Sequence, residues 1–123
     1  MPLWLYIGAG GFIGALLRYW VSAWIQMGII TFPFGTLGVN TIGSFFLGFI
    51  LYLSEFKGIF SEQARMFLAI GVLGSFTTMS TFSYESLKLL EQNQILLFTA
   101  NVLATLFLTL FAVYLGKILG AMW

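Results

Sequence analysis

An all-α integral membrane protein, built as a single domain of four transmembrane helices over residues 1–123, is the fold class this sequence predicts. Composition is the first observation behind it. Of the 123 residues, 60% are hydrophobic and 7% are charged, a balance that would leave a water-soluble domain of this size covered in apolar surface. Length is the second, because a membrane span needs about 20 predominantly apolar residues and the chain has room for about four such spans with brief loops. The third is a sparse chemical repertoire. Cys, His and Asp are absent, and the acids are Glu55, Glu62, Glu85 and Glu91, too scattered for a metal cluster or an ordinary hydrolytic site. That argues against a membrane enzyme. The opening Met-Pro-Leu-Trp-Leu-Tyr lacks the basic region of a secretory signal and reads as the start of a retained helix.

Span one covers about 4–26. Trp4 and Tyr6 stand at one end, and Tyr19, Trp20 and Trp24 toward the other, where amphipathic rings favour the membrane interfaces. Met27 to Phe34, with Pro33, forms the turn. Span two covers about 35–54, and Glu55, Lys57, Glu62 and Arg65 mark the loop after it. Span three covers about 63–90, but the stretch from Gly71 to Ser83 is rich in Gly and hydroxyl residues, which favour a helix least, so a break near its middle is predicted. Span four covers about 95–119, after the short Glu91-Gln-Asn-Gln94 turn. An even number of spans puts both termini on one side. Lys57, Arg65 and Lys117 then fall with the termini, and Arg18 and Lys88 toward the other side. Orientation follows such charges, and three against two is almost no bias. Either five charges are too few to read, or the chain inserts both ways and two copies assemble antiparallel about a two-fold axis in the membrane plane.

Polar side chains within a span must face protein, an ion or a water-filled cavity, because lipid offers no hydrogen bonds. Arg18 projects from the same helical face as Gly11, Gly14 and Ala15, so it either snorkels to the interface beside Tyr19 and Trp20 or supplies positive potential to a vestibule. In span two, Thr36, Asn40, Gly43 and Ser44 form one polar and small stripe. Asn40 there serves either as interhelical glue or as pore lining. In span four, Asn101, Thr105 and Thr109 recur every four residues and drift only about 40° per step, which suggests a track for something hydrated. Each Thr taken singly has a blander explanation, a bond back to the carbonyl one turn earlier.

Span three is the most specific segment. Thr77, Thr78, Ser80, Thr81 and Ser83 crowd around Met79 and Phe82. If the helix breaks there, freed carbonyls suit a cation, while the N-terminus of the second half, hydroxyl hydrogens and the rim of the Phe82 ring suit an anion. Gly71, Gly74 and Ser75 allow close backbone approach, as do Gly8, Gly10, Gly11 and Gly14 in span one and Gly116 and Gly120 in span four. Glu85, a turn beyond the break, is either a proton carrier, an ion-pair partner for Arg18 or Lys88, or a cap for a neighbouring helix; a structural partner is the preferred reading. The candidate pore walls otherwise hold donors and no negative charge, which favours an anion.

Three stretches carry a resemblance: Gly10-Gly-Phe-Ile-Gly-Ala-Leu-Leu-Arg18, Gly35-Thr-Leu-Gly-Val-Asn40-Thr-Ile-Gly-Ser44, and Gly74-Ser-Phe-Thr-Thr-Met-Ser-Thr-Phe-Ser83 followed by Glu85. Together they resemble the Fluc (CrcB) family of fluoride channels, in order and across all four spans. The resemblance implies a dual-topology antiparallel homodimer in a bacterial plasma or inner membrane, with two passive fluoride pores and one central structural sodium ion at the dimer interface. It implies that backbone carbonyls of Gly74 and Thr77 from both subunits hold the sodium. Fluoride would pass a phenylalanine box and polar track that map here onto Phe82, Asn40, Ser80, Thr81, Ser83, Asn101, Thr105 and Thr109, with Arg18 drawing anions into a vestibule. This chain departs from the family at Met79, which stands where the first Phe of the box is usual and fills its space without an aromatic rim. It departs again at Ser75, where a second Gly is common and a hydroxyl is added beside the expected sodium site. The rival class is the small proton-coupled multidrug exporter, also four helices and sometimes dual in topology. It needs a carboxylate in the first span, where the only charge here is Arg18. An accessory membrane protein without transport activity would explain the packing glycines but not the two polar stripes and the hydroxyl-rich break.

Overall fold

The computed structural model describes residues 1–29 and 31–123, and within them the chain is helical, with no strand. Helix α1 is Leu3–Gln26 and α2 is Phe34–Lys57. Helix α3 spans 62–76 in three pieces: an α-helical turn at Glu62–Arg65, a π-helical stretch at Met66–Leu73 and a last turn at Gly74–Phe76. Thr77 and Thr78 are extended and separate it from α4, Met79–Glu91. Helix α5 is Ile95–Met122. The break expected between Gly71 and Ser83 therefore falls at two residues. The turn expected over Met27 to Phe34 includes Ile30, which lies outside the described residues.

Three helical segments among the described residues are long and apolar enough to cross a membrane: Phe34–Lys57, Glu62–Glu91 taken across the break, and Ile95–Met122. Helix α1 equals Phe34–Lys57 in length, with 24 residues, and carries one charge, Arg18. Trp4, Phe12, Trp24, Leu96, Phe107 and Leu110 are among the many large apolar side chains left exposed, the arrangement lipid rather than water rewards. This is a multi-pass membrane protein.

Two boundaries differ from expectation. Glu55 and Lys57 belong to the last turns of α2 rather than to a loop, because Gly58 takes a left-handed conformation (φ 60°) and ends the helix only there, its N–H donating to Leu53 O. Glu62 and Arg65 lie in the first turn of α3, which Ser61 caps by accepting from Ala64 N–H at 3.1 Å. The charges thus sit on helix ends, where polar surface meets the interface.

Glycine decides how the helices pair. A Cβ on Gly10 would meet Phe67 O, and one on Gly14 would meet Val72 O and Ser75 Oγ, so α1 crosses α3 at backbone contact. On the other side, a Cβ on Gly116 would meet Phe45 O and one on Gly48 would meet Val113 O, which joins α5 to α2 equally closely. The Gly10–Gly14 register is used this way at both residues, whereas in Gly116–Gly120 only Gly116 is, since a Cβ on Gly120 would meet the Tyr52 ring at 3.2 Å and Phe49 O at 3.4 Å. Gly8 and Gly11 are different, since a Cβ on either meets nothing within 4 Å; Gly8 is exposed, and Gly11 joins α3 only through its carbonyl, which accepts from Ser75 Oγ at 2.9 Å. At one end Lys57 Nζ donates to Ala121 O at 3.3 Å and Trp123 O at 3.0 Å, placing the C-terminal ends of α2 and α5 side by side. At the other end Gln26 stitches the α1–α2 connection, donating to Phe32 O at 2.8 Å and accepting from Gly35 N–H at 2.7 Å.

Candidate functional site

The break is built from α2. Asn40, buried in the second turn of that helix, donates from Nδ2 to Thr78 O at 3.1 Å and accepts at Oδ1 from Thr78 N–H at 2.8 Å. One amide side chain thus pairs both backbone groups of an extended residue, as a neighbouring strand would. Gly43, one turn on, gives Thr77 room: a Cβ there would meet the Thr77 methyl group and, at 3.2 Å, the buried Phe76 ring. The Thr77 hydroxyl bonds back to Leu73 O at 3.1 Å. Thr78 Oγ1 caps α4 by accepting from Thr81 N–H at 3.2 Å, and donates to Thr81 Oγ1 at 3.1 Å.

Beside the break lies a cavity of about 280 Å³ walled by α2, α3 and α5. Asn40, Ser44, Gly74, Thr77, Thr78, Met79, Thr105 and Thr109 are among its lining residues, and no acidic residue is. The two residues expected to offer carbonyls to a cation and four of those expected along an anion path, counting Met79, therefore share one space or its wall. Thr105 Oγ1 is fully buried there without a hydrogen-bond partner among the described residues, whereas Thr109 Oγ1 bonds back to Thr105 O at 2.6 Å and Ser44 Oγ to Asn40 O at 2.6 Å.

A second cavity, of about 200 Å³, is lined by Ala15, Arg18, Tyr19, Ser22, Thr36, Val39, Thr78 and Thr81. Arg18 thus borders the same space as Thr81, and Thr78 is common to both cavities. Arg18 thus shares this space with residues of α2 and α4.

Other expected site residues lie elsewhere. Asn101 is 2% exposed and donates to Ser86 Oγ at 3.0 Å, tying α5 to α4; it lines neither cavity. The line Asn101–Thr105–Thr109 is divided, since a drift of about 40° per step turns its first member toward α4 and the other two toward the break. Phe82 is half-buried, Ser80 and Ser83 are exposed, and Met79 is 73% exposed, so this face of α4 is uncovered within one chain. Ser75, expected to add a hydroxyl beside the cation position, instead donates toward Gly11 O and Gly71 O, both at 2.9 Å, and serves the α1–α3 contact. Glu85 Oε1 is buried with no hydrogen-bond partner among the described residues, so the structural partner expected for it is not found there at that atom; with Lys88, Gln26 and Gln92 it lines a third cavity of about 380 Å³. Ser86 escapes a reading of the sequence. Its signal is present, a hydroxyl next to Glu85 on a helix facing the Asn101 side of α5, but only contact across helices singles it out.

Residues 5–117 match the family described as CrcB-like protein, Camphor Resistance (CrcB). The chain belongs to the CrcB family. Among its relatives, a protein of Methanosarcina acetivorans named fluoride-specific ion channel FluC 1 is 59% identical over 93% of this chain and 87% of its own. Another, of Methanosarcina barkeri and named fluoride-specific ion channel FluC 3, is 57% identical over 92% of this chain and 86% of its own. A fluoride-specific ion channel FluC of Thermus thermophilus is 45% identical over 95% of this chain and 92% of its own. The CrcB match therefore takes in most of α1, the break and all but the last turns of α5, the whole of both cavities included.

Proposed function

We propose that this protein is a fluoride-selective passive channel that lets fluoride leave the cytoplasm and so protects the cell from it. What carries the reading is similarity over nearly the whole chain to relatives named as fluoride-specific ion channels; the donor-lined, acid-free cavity at the break agrees with it in chemistry. Hydrogen fluoride crosses lipid and ionises in a cytoplasm less acidic than its surroundings, so a passive pore suffices to drain the anion. A proton-coupled exporter has less support, because α1 carries no carboxylate.

In this reading α1 also crosses the membrane and brings the spans to four, the chain is one transmembrane domain, and two copies pair antiparallel in a plasma or inner membrane. The uncovered face of α4, with Met79, Ser80 and Ser83, is where a second copy completes the path. Fluoride, drawn toward Arg18, exchanges water for donors along Thr81, Ser80, Ser83, Asn40, Thr105 and Thr109, with Phe82 offering its ring edge and Met79 a polarisable wall. Asn101 supports this track from behind through Ser86.

The residues also fit a sodium ion at the dimer interface. Gly74 lines the cavity, and a Cβ on it would meet nothing in its own chain nearer than Ala69 O at 3.7 Å, so packing within one chain does not demand glycine there, while close approach of a second chain does. The carbonyls of Gly74 and Thr77 are hard oxygen donors suited to such an ion. Once bound, it supplies fixed positive charge beside an anion path. The test is fluoride efflux, followed with an ion-selective electrode, from liposomes loaded with potassium fluoride and carrying the purified protein, with chloride-loaded liposomes in parallel. Fast fluoride release with little chloride release is expected. Absence of release from well-folded protein would sink the proposal.

A further inference from the structure

In an unbroken α-helix the N–H of residue 78 would bond the carbonyl of residue 74, and the N–H of residue 81 would bond that of residue 77. Here a particular side chain has taken the donor in each case. Thr78 N–H goes to Asn40 Oδ1 at 2.8 Å. Thr81 N–H goes to Thr78 Oγ1 at 3.2 Å. The carbonyls deprived of these donors are those of Gly74 and Thr77, whose residues line the cavity at the break. Of the carbonyls that the break releases, these two are the ones whose helical donors are held by named side chains, and one of those side chains reaches across from α2, 38 residues away.

We propose that Asn40 and Thr78 are positioning residues for a cation: by diverting the amides of Thr78 and Thr81, they keep the Gly74 and Thr77 carbonyls free before any ion arrives. This rests on the sodium reading above and adds to it which side chains create the receptor. It also gives Asn40 a task apart from touching an anion, since Oδ1 and one Nδ2 hydrogen are engaged with backbone. Without Asn40, Thr78 N–H has Gly74 O as its acceptor in helical register. Without the Thr78 hydroxyl, Thr81 N–H has Thr77 O. Either change quenches one carbonyl with an internal donor, at a place where lipid offers no alternative.

The test is thermal unfolding of the purified full-length protein in detergent, titrated with sodium chloride against N-methyl-glucamine chloride at constant ionic strength. An ion that binds only the folded state raises the unfolding temperature, and the midpoint concentration reports its affinity. Asn40→Ala and Thr78→Val are each expected to raise that midpoint about tenfold or more, the scale on which loss of an outer-shell partner weakens a metal site. Thr78→Ser, which keeps the acceptor, should stay within about twofold of the parent. Thr78→Val retains β-branching and volume and leaves the Asn40 clamp in place, so it decides the matter if Asn40→Ala fails to fold. Folded variants with the parental sodium midpoint would overturn the assignment while leaving the sodium reading intact. A parent indifferent to sodium would overturn both.

Discussion

Phe82, Asn40 and Asn101 all fall on positions where helical spacing points toward a polar or aromatic path, yet their surroundings differ. Phe82 is half-buried, and Met79, Ser80 and Ser83 near it on α4 are exposed. Phe82→Ile keeps an apolar side chain and removes the ring edge; fluoride efflux should fall about tenfold, the effect of losing about 1.4 kcal/mol at the barrier, with the purified protein still eluting in size exclusion where the parent does. Full flux would remove Phe82 from the path. Asn101, in contrast, is sealed against Ser86. Asn101→Ala strands that hydroxyl in a dry interior and should destabilise the fold by about 0.6–2 kcal/mol, read as a lower unfolding temperature; Ser86→Ala added to it should restore part of the loss, because neither partner is then left unpaired.

Helices in this protein are paired by the side chains they lack. The α1–α3 crossing runs through Gly10, Gly14 and Gly71, and the α2–α5 crossing through Gly48 and Gly116, each with a neighbouring backbone oxygen where a Cβ would stand. Such an oxygen cannot rotate away as a side chain does. Gly116→Ala should therefore cost at least about 1–3 kcal/mol, the range for overpacking, and lower the yield of monodisperse protein, while Gly8→Ala, with open space at its Cβ, should leave both unchanged. Equal tolerance of the two substitutions would show that the α2–α5 crossing is looser than its geometry implies. At the same scale, the break depends on α2 as much as on its own sequence: Asn40 holds Thr78 extended, and Gly43 admits Thr77.

For the whole molecule, the near balance of Lys57, Arg65 and Lys117 against Arg18 and Lys88 bears on assembly. An antiparallel pair needs both orientations, so two or three lysines added to the loop between α2 and α3 should bias insertion one way and lower fluoride efflux per milligram of purified protein. The same number added between α4 and α5 should bias it the other way, and co-expression of the two variants should restore the flux. Retained flux from either biased variant alone would argue for a parallel or monomeric channel.

Much of this was legible without coordinates, because the bilayer imposes its rules on short stretches of chain. Scarcity of charge and apolar runs of span length mark α2, the α3–α4 pair and α5, and the density of hydroxyls around Met79 and Phe82 marks the break to within a few residues. The Trp and Tyr residues toward its ends bound α1 well, at Leu3–Gln26 against the expected 4–26. All of these are properties of residues close in sequence, answering to a single solvent. Tertiary structure alone decided the partner of each polar group: that Asn40 pairs with Thr78 rather than simply facing a pore, that Asn101 leaves the line of Thr105 and Thr109 for Ser86, that Ser75 turns to Gly11, and that one Glu85 oxygen has no partner among the described residues. The reason is physical. Where no water competes, a donor takes the acceptor that helix crossing brings within about 3 Å, and the crossing is set by glycines on other helices, tens of residues away.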